Sequence, residues 1–113
     1  MLEEISRLIS EKRCRIRFNW FYDSGYEVSE WGSYLNFPTD DYFEPEHIGP
    51  IKINQWRWLE IHPFEEVVVG RLIPPKTIDY SLEIKDYLSS KGISFVEKEG
   101  LIKIDNPNFI RSV

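Results

Sequence analysis

The residues best suited to metal chemistry lie in one short stretch of the chain. Asp40, Asp41, Glu44 and His47 fall within eight residues, and all four side chains can ligate a metal ion. Their oxygen atoms would suit a hard cation. The spacing matches no calcium-binding loop, and Glu44 and His47 resemble a di-iron ligand pair only on a helix, where Pro45 would have to lie in the first turn. We therefore expect no bound metal or cofactor, and keep a metal site as an alternative.

The candidates for nucleophilic catalysis are few. Cys14 is the sole cysteine, and it alternates with Ile16 and Phe18 on an apolar face, where a thiol is usually an inert core residue. His62 lies between an isoleucine and a proline at a predicted strand end, a position typical of a structural histidine. The six glycines are scattered without the spacing of a phosphate-binding loop. The sequence therefore predicts a protein that is not an enzyme.

The acidic charge of the chain is concentrated in residues 22–50. This segment has no Lys or Arg, and its seven acids are Asp23, Glu27, Glu30, Asp40, Asp41, Glu44 and Glu46. The net charge of the whole chain is only -5. The same segment is dense in aromatic residues. Clustered acids repel one another and do not help folding, whereas carboxylates beside aromatic rings suit the capture of a basic protein surface.

We therefore predict that this segment forms a partner-binding surface. Its acids would steer association and its aromatic residues would anchor the complex. The predicted binding residues are Glu27, Glu30, Trp31, Tyr34, Asp40, Asp41, Tyr42, Glu44 and Glu46. The competing interpretation is a solvated loop whose aromatic residues fold back into the core.

The elements that must position this segment follow from the spacing of the apolar residues. Residues 2–12 predict an amphipathic helix. Residues 13–22 alternate between an apolar face and a basic, solvated face of Arg13, Arg15, Arg17 and Asn19, which is typical of a strand. Residues 23–25 favour a turn, and residues 26–31 a returning strand. Residues 32–50 hold three prolines, and this composition predicts a long loop.

The rest of the chain predicts further strands and a second helix. Strands are expected at residues 51–61, with Trp56 and Trp58 on the polar face, and at residues 66–73. A helix should follow Asp79 as its N-cap and end at Gly92, before a terminal hairpin over residues 93–104. Together these elements predict an α+β fold in a single domain over residues 1–113. Its core would be one antiparallel sheet of about five or six strands, covered by the N-terminal helix and the helix near the C-terminus.

The composition limits the compartments in which the protein is expected and the classes of partner that it could bind. With 113 residues, 42% of them hydrophobic, the chain can bury its own core. It has no apolar run long enough to cross a membrane and no basic, apolar start typical of a signal peptide, and its single cysteine fits a reducing compartment. We therefore expect a cytoplasmic protein that does not bind a membrane. Because its net charge is acidic, we also expect that it does not bind nucleic acid.

The chain shows two resemblances to known groups of proteins. The run Gly70-Arg71-Leu72-Ile73-Pro74, followed by Ile78-Asp79-Tyr80 and Gly92-Ile93-Ser94-Phe95, resembles a small bacterial family of uncharacterised α+β proteins. In general character, as a small acidic chain with an acid-aromatic loop, it resembles the immunity proteins of bacterial polymorphic toxin and contact-dependent growth inhibition systems.

The second resemblance implies a protein-binding inhibitor that is a monomer or a weak homodimer. Its partner would be a cognate toxin, with a basic nuclease domain as one candidate. The alternative is a small metal-dependent or ligand-binding enzyme that uses the same loop. A third class, a subunit of a larger assembly, would use strand edges or the Trp56 and Trp58 face.

Overall fold

Short runs of apolar residues, separated by turn residues, divide this chain into many short helices and strands. The structure is a computed structural model that describes residues 1–22 and 25–109. In chain order the elements of this part are α1 (Leu2–Lys12), β1 (Arg15–Tyr22), β2 (Gly25–Val28), β3 (Leu35–Thr39), β4 (Tyr42–Pro45), β5 (Ile51–Lys52), β6 (Trp56–His62), β7 (Phe64–Val67), β8 (Lys76–Asp79), α2 (Ser81–Ser90), β9 (Val96–Lys98) and β10 (Leu101–Asp105). The predicted α+β class with two helices is confirmed.

The strands of the described residues form three sheets, so the predicted single sheet is wrong. The largest is antiparallel and has the order β2-β1-β6-β10-β9. A second sheet contains β3, β4 and β5, and a third contains β7 and β8. Pro63 marks one of the breaks: it has no N–H with which to continue the ladder of β6, and the chain leaves the large sheet there.

One hydrophobic core joins the five-stranded sheet to both helices. Alternate residues of β1, β6 and β10 are buried in it, among them Phe18, Leu59 and Ile104. The helices contribute the stripes that the sequence predicts, which are Leu2, Ile5, Leu8 and Ile9 from α1 and Ile84 and Leu88 from α2. In the part of the chain described, no helix is long and apolar enough to cross a membrane.

The turn residues near the C-terminus follow the sequence prediction in part. The N-cap of α2 is Tyr80 and not the predicted Asp79, whose carboxylate, one residue earlier, accepts a hydrogen bond from the backbone N–H of Ser81 at 2.8 Å. Gly92 follows the helix with a φ of 70°. The terminal hairpin turns at Glu99 and Gly100, whose φ angles of 54° and 79° fit a two-residue turn. Its first strand differs from the prediction of residues 93–96 followed by a turn at residues 97–100, because β9 covers Val96–Lys98.

A bulge in β6 reverses the predicted position of Trp56. Asn19 pairs with Trp58, but the next residue of β1 pairs with Trp56, so Arg57 is an extra residue on β6. An extra residue moves the side chains beyond it to the other face of the sheet. Trp56 is therefore only 2% exposed, and its ring meets that of Phe18 edge-on at 5.9 Å. Asn19, predicted to be solvated, is 5% exposed.

Residues 32–50 contain ordered strands, so the predicted long loop is wrong. Leu35, Phe43 and Pro45 are buried, and they hold β3 and β4 as a hairpin against the core. Pro38 is tolerated because β3 is the edge strand of its sheet and the pairing is irregular there. The predicted turn at residues 23–25 includes Asp23 and Ser24, which lie outside the described residues. The strand that follows, β2, does pair with β1.

The predicted strand at residues 66–73 is wrong beyond Val67. β7 ends there, and residues 68–75 connect it to β8 without strand structure. The run of valines favours a strand by propensity, but β7 and β8 form a two-stranded ribbon with no fully buried residue. Propensity alone cannot extend the ladder where there is no core to pack against.

Candidate functional site

The predicted binding segment is built on the β3–β4 hairpin, with Asp40 and Asp41 in its turn. Both side chains are exposed, and the backbone N–H of Asp41 donates to the hydroxyl of Thr39 at 3.3 Å. A short Asp-rich turn is favoured here because such side chains and hydroxyls bond to nearby backbone groups. The two acids are thus carried at the tip of an ordered hairpin.

The alternation of β4 holds this hairpin in place. Phe43 is fully buried, and its ring centroid lies 5.0 Å from that of Phe18 in the core. Tyr42 and Glu44, on the opposite side of the strand, are half-buried. Because successive side chains of a strand point to opposite faces, burying Phe43 turns Tyr42 and Glu44 outward. The position of these two predicted site residues is therefore set by the core.

Asp40, Asp41 and Tyr42 line an open cleft of about 500 Å³. Lys52 and Asn54 line the same cleft, and Lys52 is the register partner of Tyr42 across β4 and β5. The charge count over residues 22–50 did not include Lys52, because Lys52 lies just beyond that segment. The pairing of β5 with β4 brings the positive charge of Lys52 beside the two acids. Only knowledge of this pairing would have identified Lys52 as part of the site.

Glu46 has an internal role at the other end of the hairpin. Its carboxylate accepts hydrogen bonds from the backbone N–H of Ser33 at 2.7 Å and from the hydroxyl of Ser33 at 2.8 Å. These bonds favour the charged form and lower the pKa of Glu46 below its ordinary value. Its backbone N–H donates to the carbonyl of Tyr34 at 3.4 Å. Glu46 therefore closes the base of the hairpin.

A close approach at Gly32 fixes this base to the large sheet. Gly32 and Ile16 exchange two backbone hydrogen bonds, of 2.8 and 2.9 Å. A Cβ atom placed on Gly32 would lie 3.0 Å from the Cβ of Glu46, closer than side chains normally pack. The absence of a side chain at residue 32 thus lets the hairpin meet β1.

Trp31 is already engaged within the chain. The guanidinium of Arg17 lies 4.4 Å from its ring centroid, and the imidazole of His62 meets it edge-on at 5.6 Å. Arg17 also donates to the carboxylate of Glu60 from Nε and Nη2, both at 2.8 Å. This arrangement explains why Arg17 is half-buried instead of solvated.

The remaining predicted residues are spread over the surface. Glu27 is exposed on β2, Glu30 is exposed after it, and Tyr34 is 44% exposed before β3. The structure thus brings Asp40, Asp41 and Tyr42 together in one cleft and Tyr34 beside Glu46 at the base. The nine predicted residues do not line a common cleft in the described part of the chain.

The metal alternative gains no support from the geometry. In residues 1–22 and 25–109, no group of three or more His, Cys, Asp or Glu side chains is placed to hold an ion. His47 faces its neighbour Glu46, with 3.5 Å between Nε2 and Oε2. Asp40 and Asp41 lie at the turn and His47 lies beyond the base, because the strand β4 separates them. The four candidate ligands therefore do not form a site.

Cys14 has the properties of a core residue, as predicted. It is 1% exposed, and its thiol lies 3.6 Å from the carbonyl oxygen of Lys12, to which it donates. Burial raises its pKa to about 11. The thiol is therefore mainly protonated at neutral pH, and the thiolate, its nucleophilic form, is disfavoured.

A surface at the far end of the β7–β8 ribbon was not predicted from the sequence. Four aliphatic side chains are exposed in its connecting residues, namely Val68, Val69, Leu72 and Ile73. A signal was present in the sequence: this apolar run is followed directly by Pro74 and Pro75, which lack the N–H groups needed to continue a strand ladder.

Comparison with known proteins places the chain in a family. No curated protein and no solved structure matches it. A family model matches residues 5–105, which include most of α1, the whole of α2 and all three sheets. The chain therefore belongs to the Family of unknown function (DUF6678).

Proposed function

We propose that this protein acts by binding a basic partner protein, without catalysis of its own. The observation that carries the proposal is the pair Asp40 and Asp41, exposed at the tip of a hairpin that Phe43 fastens to the core. Neither acid takes part in an ion pair within the described residues. Two adjacent carboxylates on an ordered support, with Lys52 as the one cation among the described residues that line the same cleft, make the potential at this point of the surface negative, and this favours the encounter with a basic surface.

The anchoring residues in this proposal are Tyr34 and Tyr42. Both carry rings that are at least partly accessible, whereas Trp31 would first have to release Arg17. The acids would mainly raise the association rate, and burial of the two tyrosines would slow dissociation. Binding should therefore weaken as the ionic strength increases.

The partner class that we propose is a toxin domain, with this protein as its stoichiometric, immunity-type inhibitor. The support is the general character of the chain, which is small and acidic and concentrates its acids in one segment. A basic nuclease domain has the complementary charge, since it must bind phosphate groups. Covering such a domain would block its substrate without any chemical step.

The test is affinity capture with matched charge variants. The wild-type protein, Asp40→Lys/Asp41→Lys and Asp86→Lys/Asp105→Lys are immobilised, exposed to lysate of the source organism and eluted with a salt gradient. The second variant changes the net charge equally but at exposed positions on α2 and β10. We expect a basic protein on the wild-type and control columns only. Equal capture on all three columns, or none, would contradict the proposal.

The ligand-binding alternative rests on the cleft between β4 and β5. Its polar lining of Asp40, Asp41, Lys52 and Asn54 offers both charges and an amide to a small ligand. This alternative predicts that a ligand protects the protein from thermal unfolding and that Lys52→Ala abolishes the protection. If it is correct, the captured species will be small molecules and not proteins.

A further inference from the structure

The tip of the β7–β8 ribbon is an apolar surface that the fold does not use. We call residues 68–75 the arm tip. Val68 is 76% exposed, Leu72 is 98% exposed, and Val69 and Ile73 are more than half exposed. Together they present apolar surface on the order of a few hundred Å², the size of the largest apolar patch on a typical monomer, which is often functional. The arm tip therefore points to a partner.

The base of the ribbon is held firmly, so that the arm tip is presented in a defined direction. The backbone N–H of Tyr80 donates to the carbonyl of Pro63 at 2.9 Å, and its hydroxyl donates to the carboxylate of Glu65 at 2.9 Å. The ring of Phe64 packs beside the turn at Gly100. These contacts fix the point where the ribbon leaves the core.

The distal part of the ribbon is basic, whereas its three acids, Glu65, Glu66 and Asp79, lie nearer the base. Residues 67–78 hold Arg71 and Lys76 and no acid, whereas the whole chain has a net charge of -5. The acidic surface that complements it within the same protein is the tip of the β3–β4 hairpin, with Asp40, Asp41 and the half-buried ring of Tyr42. A basic, aliphatic tip and an acidic, aromatic tip match in both charge and character.

We propose that the arm tip binds a second copy of this chain, by docking on the β3–β4 tip of that copy. The contact area favours a reciprocal arrangement, in which the arm tip of each copy docks on the β3–β4 tip of the other. A single arm tip covers well under the roughly 800 Å² that each partner contributes to a standard interface. Two symmetrical contacts double the buried area and close the assembly as a two-fold dimer.

This contact goes beyond the proposed function and does not depend on it. In the dimer, Asp40 and Asp41 would be covered by Arg71 and Lys76 of the other copy, so that a basic partner would have to compete with the arm. Substitutions in the arm should weaken self-association and, by removing the competitor, strengthen the binding of a basic partner, whereas substitutions at Asp40 and Asp41 should weaken both contacts. The failure of one proposal can thus be told from the failure of the other.

The first experiment measures the oligomeric state of the full chain by analytical ultracentrifugation over a wide concentration range. We expect a reversible monomer–dimer equilibrium for the wild type. Leu72→Ser/Ile73→Ser should raise the dimer dissociation constant by at least about tenfold. Leu82→Ser is the matched control, because Leu82 is another exposed leucine, on α2 and away from the arm. It should leave the dissociation constant unchanged.

A wild-type protein that stays monomeric at every concentration would overturn the proposal, as would equal weakening by the arm variant and the control. A monomer that sediments with phosphatidylserine vesicles through Leu72 would also overturn it and would assign the arm tip to an anionic lipid surface. Far-ultraviolet circular dichroism of each variant establishes that it is folded, which we expect because the altered side chains are exposed.

The second experiment exchanges the charges to test which surface accepts the arm. One variant carries Arg71→Glu/Lys76→Glu, and the other carries Asp40→Lys/Asp41→Lys. Each alone places like charges at both contacts and should be monomeric. Mixed, the two variants restore opposite charges at both contacts and should form a heterodimer. A mixture that stays monomeric while both variants are folded would overturn the assignment of the β3–β4 tip as the acceptor.

Discussion

The β3–β4 and β7–β8 hairpins are built alike but are stabilised differently. In β3–β4 the side chains of Leu35, Phe43 and Pro45 reach the core, so the hairpin is part of the folded interior. In β7–β8 no side chain is fully buried, and the most exposed aliphatic side chain of its connection, Leu72, is 98% exposed. An isolated two-stranded ribbon is only marginally stable in water, so the second hairpin depends on the contacts at its base.

This difference means that the β3–β4 hairpin contributes to the stability of the fold, whereas the tip of the β7–β8 ribbon is available for recognition of a partner. In the β3–β4 hairpin the acids are outside and the apolar residues are inside, as folding requires. In the β7–β8 ribbon the apolar residues of the tip are outside, where they contribute nothing to the stability of the monomer. Substitutions in the two hairpins should therefore have opposite profiles, with large effects on unfolding in the first and small effects in the second.

The largest effect is expected for Phe43→Ala. Removing a fully buried ring that packs on Phe18 should lower the free energy of unfolding by about 3–5 kcal/mol. The measurement is urea denaturation followed by tryptophan fluorescence. Tyr34→Ala removes an exposed ring of the same segment and should cost at most about 1 kcal/mol. If both variants lost the same stability, the hairpin would not be anchored through Phe43.

The next effect is expected for Gly32→Ala. The added methyl group would meet the Cβ of Glu46 at 3.0 Å and push the hairpin away from β1, which should cost about 1–3 kcal/mol. Gly49→Ala is the control, because no atom lies within 4 Å of the Cβ that it adds. This variant should change the free energy of unfolding by less than about 1 kcal/mol. Equal results at the two glycines would show that the close approach has no energetic consequence.

A smaller, pH-dependent effect is expected for Glu46→Gln. The bonds from Ser33 lower the pKa of Glu46 in the folded state, so its carboxylate stabilises the fold above the ordinary pKa of about 4.3. This stabilisation is lost as the pH falls through the lowered pKa. The wild type should therefore exceed Glu46→Gln in stability at pH 7 and approach it at low pH.

Ser33→Ala provides an intermediate case for this prediction. It removes the hydroxyl bond and keeps the bond from the backbone N–H, so the pH-dependent difference should shrink but persist. Urea denaturation at several pH values measures it for all three proteins. A constant gap between the wild type and Glu46→Gln at every pH would contradict the role given to the Ser33 bonds.

The smallest effect is expected for Leu72→Ala. Because Leu72 is almost fully exposed, its removal should change the free energy of unfolding by less than about 0.5 kcal/mol when measured on dilute monomer. A loss of several kcal/mol would mean that the ribbon folds back on the core in solution, and the contrast between the hairpins would disappear.

The sequence predicted those elements that local rules define. The two helices and the glycine that follows α2 depend on neighbouring residues, and these predictions are confirmed. The bulge at Arg57 escaped prediction because it depends on pairing with β1, which lies far away in sequence. The separation into three sheets escaped it for the same reason.

The candidate site shows the same limit. The sequence indicated which segment carries the acids, but it did not indicate that Glu46 bonds to Ser33 or that Arg17 covers Trp31. Both contacts depend on the exact register of paired strands and on the path of the residues that follow them, which the residue types alone do not specify. Composition therefore located the acidic surface, and tertiary pairing decided which of its residues remain available to a partner.

The burial of Cys14 gives this protein a built-in route to selective labelling. It is the sole cysteine, it is 1% exposed, and its thiol stays protonated, so thiol reagents should modify it only when the fold opens. The rate of that modification would report the opening of the fold without an introduced cysteine. A Leu72→Cys variant would place a second thiol in open solvent, where a fluorophore could be coupled while Cys14 remains silent.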